Sequence, residues 1–149
     1  MIKANVITES KIWEKNIKAP NRYINNKLKK LSLIAGFKKK KIEFTIFLSR
    51  NKTLKYLNKK YLNKNRKTDV LSFPLNLREN KYYIGDIAVS YEILKSRSKK
   101  TDFFYEFDRM WVHGLLHLYG YDHKKISDYY LMSKIEKRIL RNFDHKFYL

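Results

Sequence analysis

Apolar positions along this chain follow two rhythms, and each rhythm predicts a kind of element. Lys41 to Ser49 alternates, with Ile42, Phe44, Ile46 and Leu48 on one face and Glu43, Thr45 and Phe47 on the other, which predicts a β-strand. Met1 to Thr8 alternates more weakly and predicts a short strand, followed by a linker containing Pro20. Thr68 to Phe73 is apolar and β-branched and ends at Pro74. A further strand, around Gly85-Asp86-Ile87-Ala88-Val89, lies within Tyr82 to Ser90 after a loop near Asn76 to Asn80.

Other stretches carry helical spacing. From Asn21, a candidate N-cap, Ile24, Leu28, Leu31 and Ala35 recur at intervals of three and four and predict a helix that stops at Gly36, with Lys27, Lys29 and Lys30 in solvent. Asn51 or Thr53 opens a helix in which Leu54, Leu57, Asn58 and Tyr61 share a side, and Asn63 to Lys67 follows as a polar loop. Tyr91 to Ser98 reads as helical. Phe103, Phe104, Phe107, Met110, Trp111 and Leu115 line the buried side of a long helix, as core rather than as a base-stacking platform. Ser127 caps a last helix with Tyr130, Leu131, Ile135 and Ile139 spaced for packing, and Asn142 to Leu149 is a tail with His145 on the surface. Strands separated by helices without regular βαβ alternation predict one α+β domain over residues 1–149.

Composition narrows the picture. With 149 residues and 44% hydrophobic content the chain is long enough for one core. The absence of cysteine excludes disulfides and suits a reducing compartment, the cytoplasm. Met1 to Ser10 lacks the apolar core of a signal peptide, and Leu31 to Phe37 is too short to span a bilayer, so a soluble protein is expected. Thirty-four Lys and Arg against fourteen Asp and Glu leave a net charge of +20, which suits a polyanionic partner. An AT-rich genome also enriches Lys, Asn, Ile, Tyr and Phe, but it would supply glutamate too, and acidic residues are scarce.

The chemistry concentrates in His113-Gly114-Leu115-Leu116-His117-Leu118-Tyr119-Gly120-Tyr121-Asp122-His123, which holds three of the four histidines. On a helix from Asp108 to Leu118, His113 and His117 at i and i+4 share a face. Gly120 can take positive φ, end the helix and let His123 return to them. Three imidazoles without cysteine suit one zinc ion first, and copper, nickel or iron next. Three protein ligands leave a tetrahedral ion one open position, as catalytic sites do. The offsets match the extended zinc-protease pattern H-E-x-x-H-x-x-G-x-x-H, but Gly114 stands where that pattern needs its general base, which argues against peptide hydrolysis. Asp122 could shuttle a proton or bond the turn backbone. Asp86 could orient a ligand histidine or serve a turn. Ser72 and Thr68 could meet a phosphate, though for Ser72 a backbone bond is favoured.

The run HGLLHLYGYDH, with Thr68-Asp69-Val70-Leu71-Ser72-Phe73-Pro74 and Gly85-Asp86-Ile87 upstream and Leu57-Asn58 with Tyr61 before them, closely resembles the YbeY family of bacterial metal-dependent endoribonucleases. The resemblance spans about Leu57 to His123, and it implies an α+β fold with a small mixed sheet of about four strands surrounded by helices and the metal site on the helix and turn 108–123. It implies cleavage of single-stranded RNA with His113, His117 and His123 as metal ligands, and a role in maturing the 3′ end of small-subunit ribosomal RNA and in ribosome quality control. Ribosomal RNA and the small subunit are the implied partners. Family members carry an arginine after the aromatic of the Leu-Asn-x-x-aromatic segment, where this chain has Leu62. Arg66 is the candidate substitute if the helix runs on through Asn65, with Lys64 and Lys67 beside it as RNA-binding residues. Two rival readings remain: a non-catalytic ribosome-assembly factor with a structural metal, and another zinc hydrolase.

Overall fold

The computed structural model describes residues 1–34, 36–37, 41–63, 69–75 and 82–145. In chain order these form β1 (Ile2–Thr8), a short 3-10 turn (Lys11–Lys15), α1 (Pro20–Leu31), β2 (Ile42–Ser49), α2 (Asn51–Leu62), β3 (Val70–Pro74), β4 (Tyr83–Ser90), α3 (Tyr91–Ser98), α4 (Phe103–Leu118) and α5 (Ile126–Asn142). The strands make one mixed sheet in the order β1-β2-β4-β3, with β1, β2 and β4 parallel and β3 antiparallel at an edge. The expected α+β fold with a four-stranded sheet is therefore present.

The alternation in β2 works as read. Ile42, Phe44, Ile46 and Leu48 enter the main core with Ile24, Leu28, Phe107, Trp111 and Leu115, while Phe47 faces the opposite side with Leu54, Leu71 and Ala88 beneath α2. α4 packs on the main-core face, and every second residue of β3 and β4 points at it.

Several local expectations are corrected. α1 begins with Pro20 at its first turn and has no side-chain cap, so Pro20 opens the helix rather than sitting in a linker, and Asn21 is inside it. It ends at Leu31 rather than Gly36, because Ser32 Oγ donates back to Leu28 O at 3.0 Å and the following amides turn onto i−3 carbonyls. Ala35 lies outside the described residues. Lys27 is not in solvent: its side chain is 18% exposed and its Nζ sits 3.9 Å from the buried Asp108 carboxylate. His145 is no surface residue either, since its Nε2 lies 2.6 Å from the same carboxylate, which also accepts from Tyr23 Oη and Trp111 Nε1. A buried carboxylate needs such partners, and these draw in groups that periodicity alone sends outward. Phe104 is partly exposed on α4, and Tyr130 and Leu131 are exposed on α5, whose buried residues are Met132, Ile139 and Leu140. That helix starts at Ile126, with Lys125 and not Ser127 at the N-cap. Among the described residues, no helix is long and apolar enough to cross a membrane.

Candidate metal centre

The helix that carries the first two histidines is fixed at its start, along its length and at its end. Asp102 caps α4 by accepting from Tyr105 N at 3.1 Å, an interaction typically worth about 1 kcal/mol. Midway, α4 lies close on the edge strands. A Cβ at Gly114 would stand 2.8 Å from Ile87 Cγ2, 3.1 Å from Val70 Cγ2 and 3.2 Å from Ser72 Oγ. Ser72 Oγ donates to Gly114 O at 3.0 Å, the backbone role expected for it. At the end, Gly120 takes φ +97 while Tyr121 N bonds Leu116 O, so the chain folds back over the last turn.

That reversal brings His123 to the other two. Ring centroids are 4.7 Å apart for His113 and His117, 5.1 Å for His117 and His123, and 5.7 Å for His113 and His123. One ligand atom from each falls within 4.8 Å of the others. The second ring nitrogens say which atoms converge. His117 Nδ1 donates to Tyr121 O at 2.9 Å, and His113 Nδ1 is paired with Glu136 Oε1. A carbonyl and a carboxylate only accept, so Nδ1 carries the proton in both rings and each Nε2 keeps its lone pair. The two Nε2 atoms are 3.1 Å apart, close to the roughly 3.3 Å that tetrahedral zinc–nitrogen bonds of about 2.0–2.1 Å require. Two facing lone pairs repel unless a cation lies between them, so the donor set fits a transition metal. Burial, then the nearby His113, holds the His117 pKa below its ordinary value, which favours the neutral, ligating form.

Glu136 had no signal in the ligand spacing. It is one acidic residue on α5 among Lys134, Lys137 and Arg138, and only the packing of α5 on α4 brings it to His113. Asp86, the sequence candidate for that role, is elsewhere. It pairs in register with Phe73, one residue out of phase with Ile87 and Ser72, so it faces the α2 side and accepts from Tyr83 Oη. Asp122 accepts from His123 N at 2.7 Å, and that bond, followed by Lys124 and the two histidines, keeps its pKa below the usual carboxylate value.

His113, His117 and His123 open onto a cleft of about 510 Å³, shared with Asn58, Leu62, Ser72 and Asp122. α2 stops at Leu62, and Asn63 has φ 54 in the left-handed region. The described part of the helix therefore ends before the segment on which Arg66 is expected to follow Leu62 by one turn. Lys64, Arg66, Lys67 and Thr68 lie outside the described residues.

A four-stranded α+β fold here presents three imidazoles, at a helix end and beside a cleft, that could hold a metal. The chain belongs to the endoribonuclease YbeY family, whose sequence model matches residues 5–144. It is 40% identical to the endoribonuclease YbeY of Pelagibacter ubique over 146 residues, covering 95% of each chain. To that of Ehrlichia canis it is 34% identical, covering 94% of this chain and 91% of the relative. The solution structure of TM1509 from Thermotoga maritima is similar at a TM-score of 0.63 and 27% identity, over 95% of this chain and 88% of that one.

Proposed function

We propose that this chain is a zinc-type metal-dependent endoribonuclease acting on single-stranded RNA in the cytoplasm, with the 3′ end of small-subunit ribosomal RNA as its substrate and late ribosome maturation and quality control as its role. The observation that carries the metal chemistry is the convergence of His113, His117 and His123 on an open cleft. The relatives' endoribonuclease names support RNA as substrate, the family's role supports the ribosomal one, and the +20 charge supports a polyanion. Absence of cysteine supports the reducing compartment.

A bound ion of this kind supplies Lewis acidity toward water and phosphoryl oxygens. The chain's own groups do the rest. Glu136 and the Tyr121 carbonyl hold two imidazoles in orientation, and the Asp122 carboxylate, which accepts from the His123 amide, would take the proton of the attacking hydroxyl. Lys64, Arg66 and Lys67 follow Leu62 in sequence and would neutralise phosphates of the RNA.

Leu62 favours a second reading. A leucine at the cleft, where family members carry an arginine, suits an assembly factor that binds RNA and cleaves slowly or not at all. Incubating metal-loaded, chelated and His113→Ala protein with a structured RNA bearing a single-stranded end separates the two. Cleavage only by the metal-loaded parent is expected, whereas equal binding without cleavage in all three would establish the assembly factor.

A further inference from the structure

The three-histidine site has a second open side. Beyond His113 and His123, a cleft of about 620 Å³ runs between α3, α4 and α5. Asp69, Val70, His113 and His123 line this cleft and the one already described, so the two meet at the histidines. A chain-like substrate can therefore enter on one side of the site and leave on the other, as cutting within a strand demands.

The far cleft differs from the near one in its charges. Arg97, Arg109 and Lys137 line it, and its two carboxylates are engaged: Asp69 pairs with Arg97, and Glu136 with His113. Arg97 and Arg109 keep 46% and 53% of their side-chain surface exposed, and ion pairs at such exposure contribute only about 0–1 kcal/mol, so they orient the guanidinium groups without removing them from a ligand's reach. The ring of Tyr129, 57% exposed, stands on the α5 wall. Cations and an exposed aromatic ring lining one groove are the combination that holds single-stranded nucleic acid, the cations on phosphates and the ring beneath a base. A duplex would offer no free base face to Tyr129.

We propose that the cleft between α3, α4 and α5 binds the single-stranded RNA on one side of the scissile phosphate, with Arg97, Arg109 and Lys137 on successive phosphates and Tyr129 stacked on a base. This rests on the endoribonuclease reading and adds the path of the strand to it.

The test is equilibrium binding of a fluorescent single-stranded RNA to metal-free protein, so that cleavage plays no part, measured as log K against log salt. Arg109→Ala/Lys137→Ala is expected to flatten the slope by about 1.4, roughly 0.7 for each phosphate no longer neutralised. Tyr129→Ala is expected to weaken binding about 5- to 150-fold at fixed salt, with Tyr129→Phe close to the parent. Because Arg109 also neighbours the buried Glu106, Tyr129→Ala/Lys137→Ala, which changes only exposed side chains, repeats the test with an expected flattening of about 0.7. Parent slope and affinity in all these folded variants would overturn the proposal even if the parent cleaves RNA. The expected changes in a parent that never cleaves would overturn the nuclease reading and leave this binding path standing.

Discussion

His113 and Glu136, 23 residues apart, are joined through the imidazole Nδ1 and a carboxylate oxygen, so the position of one candidate ligand depends on a different helix from its own. Losing an outer partner of this kind typically weakens metal binding about 10- to 100-fold. Glu136→Ala is expected to fall in that range in a chelator competition, and Glu136→Gln, whose carbonyl still accepts, to recover part of it. Undiminished affinity in the alanine variant would remove Glu136 from the site.

Metal content should also follow pH. Each imidazole must be neutral to coordinate, so acidification releases the ion. The His117 pKa is lowered by burial and then by His113, so the folded chain binds fewer protons here than the unfolded one. This group's contribution is complete above the ordinary imidazole value of about 6.5 and is lost as pH falls from there toward the lowered folded value. Elemental analysis after dialysis at pH 7.5 and pH 5 should give one equivalent and close to none. His117→Ala should hold none at either pH, and equal metal in that variant would rule the cluster out.

At the alkaline end the sign reverses. Burial, and next the bond to Asp86, pushes the Tyr83 phenol up to about 12, and burial raises Tyr23, Tyr91 and Tyr119 as well. Their neutral forms are favoured in the fold. That stability is complete below about pH 10 and is lost as pH rises from there toward the folded values. Absorbance titration should show a late-ionising fraction of the 12 tyrosines that disappears in denaturant. A single transition near pH 10 in the native protein would contradict the burial of these four rings.

The alternating pattern gave β2 directly, and the i, i+4 spacing with Gly120 gave all three converging histidines, because both rest on local geometry. What sequence reading missed depends on packing between distant elements. Lys27 and His145 turn inward to a single carboxylate, Asp108, which no periodicity marks as buried. Glu136 takes the histidine-orienting role offered to Asp86 for the same reason. The pleat of β4 sends Asp86 to the opposite face, and the packing of α5 brings Glu136 in.

Leu62 stands where family members carry an arginine. It ends α2, is 42% exposed and lines the histidine cleft, so a longer cationic side chain there reaches the phosphate without repacking a core. A positioned donor is typically worth a few kcal/mol of transition-state stabilisation. Leu62→Arg is expected to raise the cleavage rate at least about tenfold. If Arg66 already serves, Arg66→Ala should lose at least as much and Leu62→Arg should gain nothing; single-turnover rates on one RNA decide between these.

Gly114→Ala tests how closely α4 sits on the sheet. The added methyl meets Ile87, Val70 and Ser72 inside normal van der Waals distance, and overpacking of this kind typically costs about 1–3 kcal/mol. A melting temperature lower by roughly 2–12 °C is expected. An unchanged one would mean that the strands yield freely.

The same crowding governs what the site can become. A general base one residue after the first histidine would have to project into the packed seam between α4 and the edge strands, not toward the ion. Grafting a glutamate at Gly114 would therefore yield an unfolded or displaced helix rather than a peptidase, and a new chemistry at these histidines has to be built from the cleft walls supplied by α2 and α5.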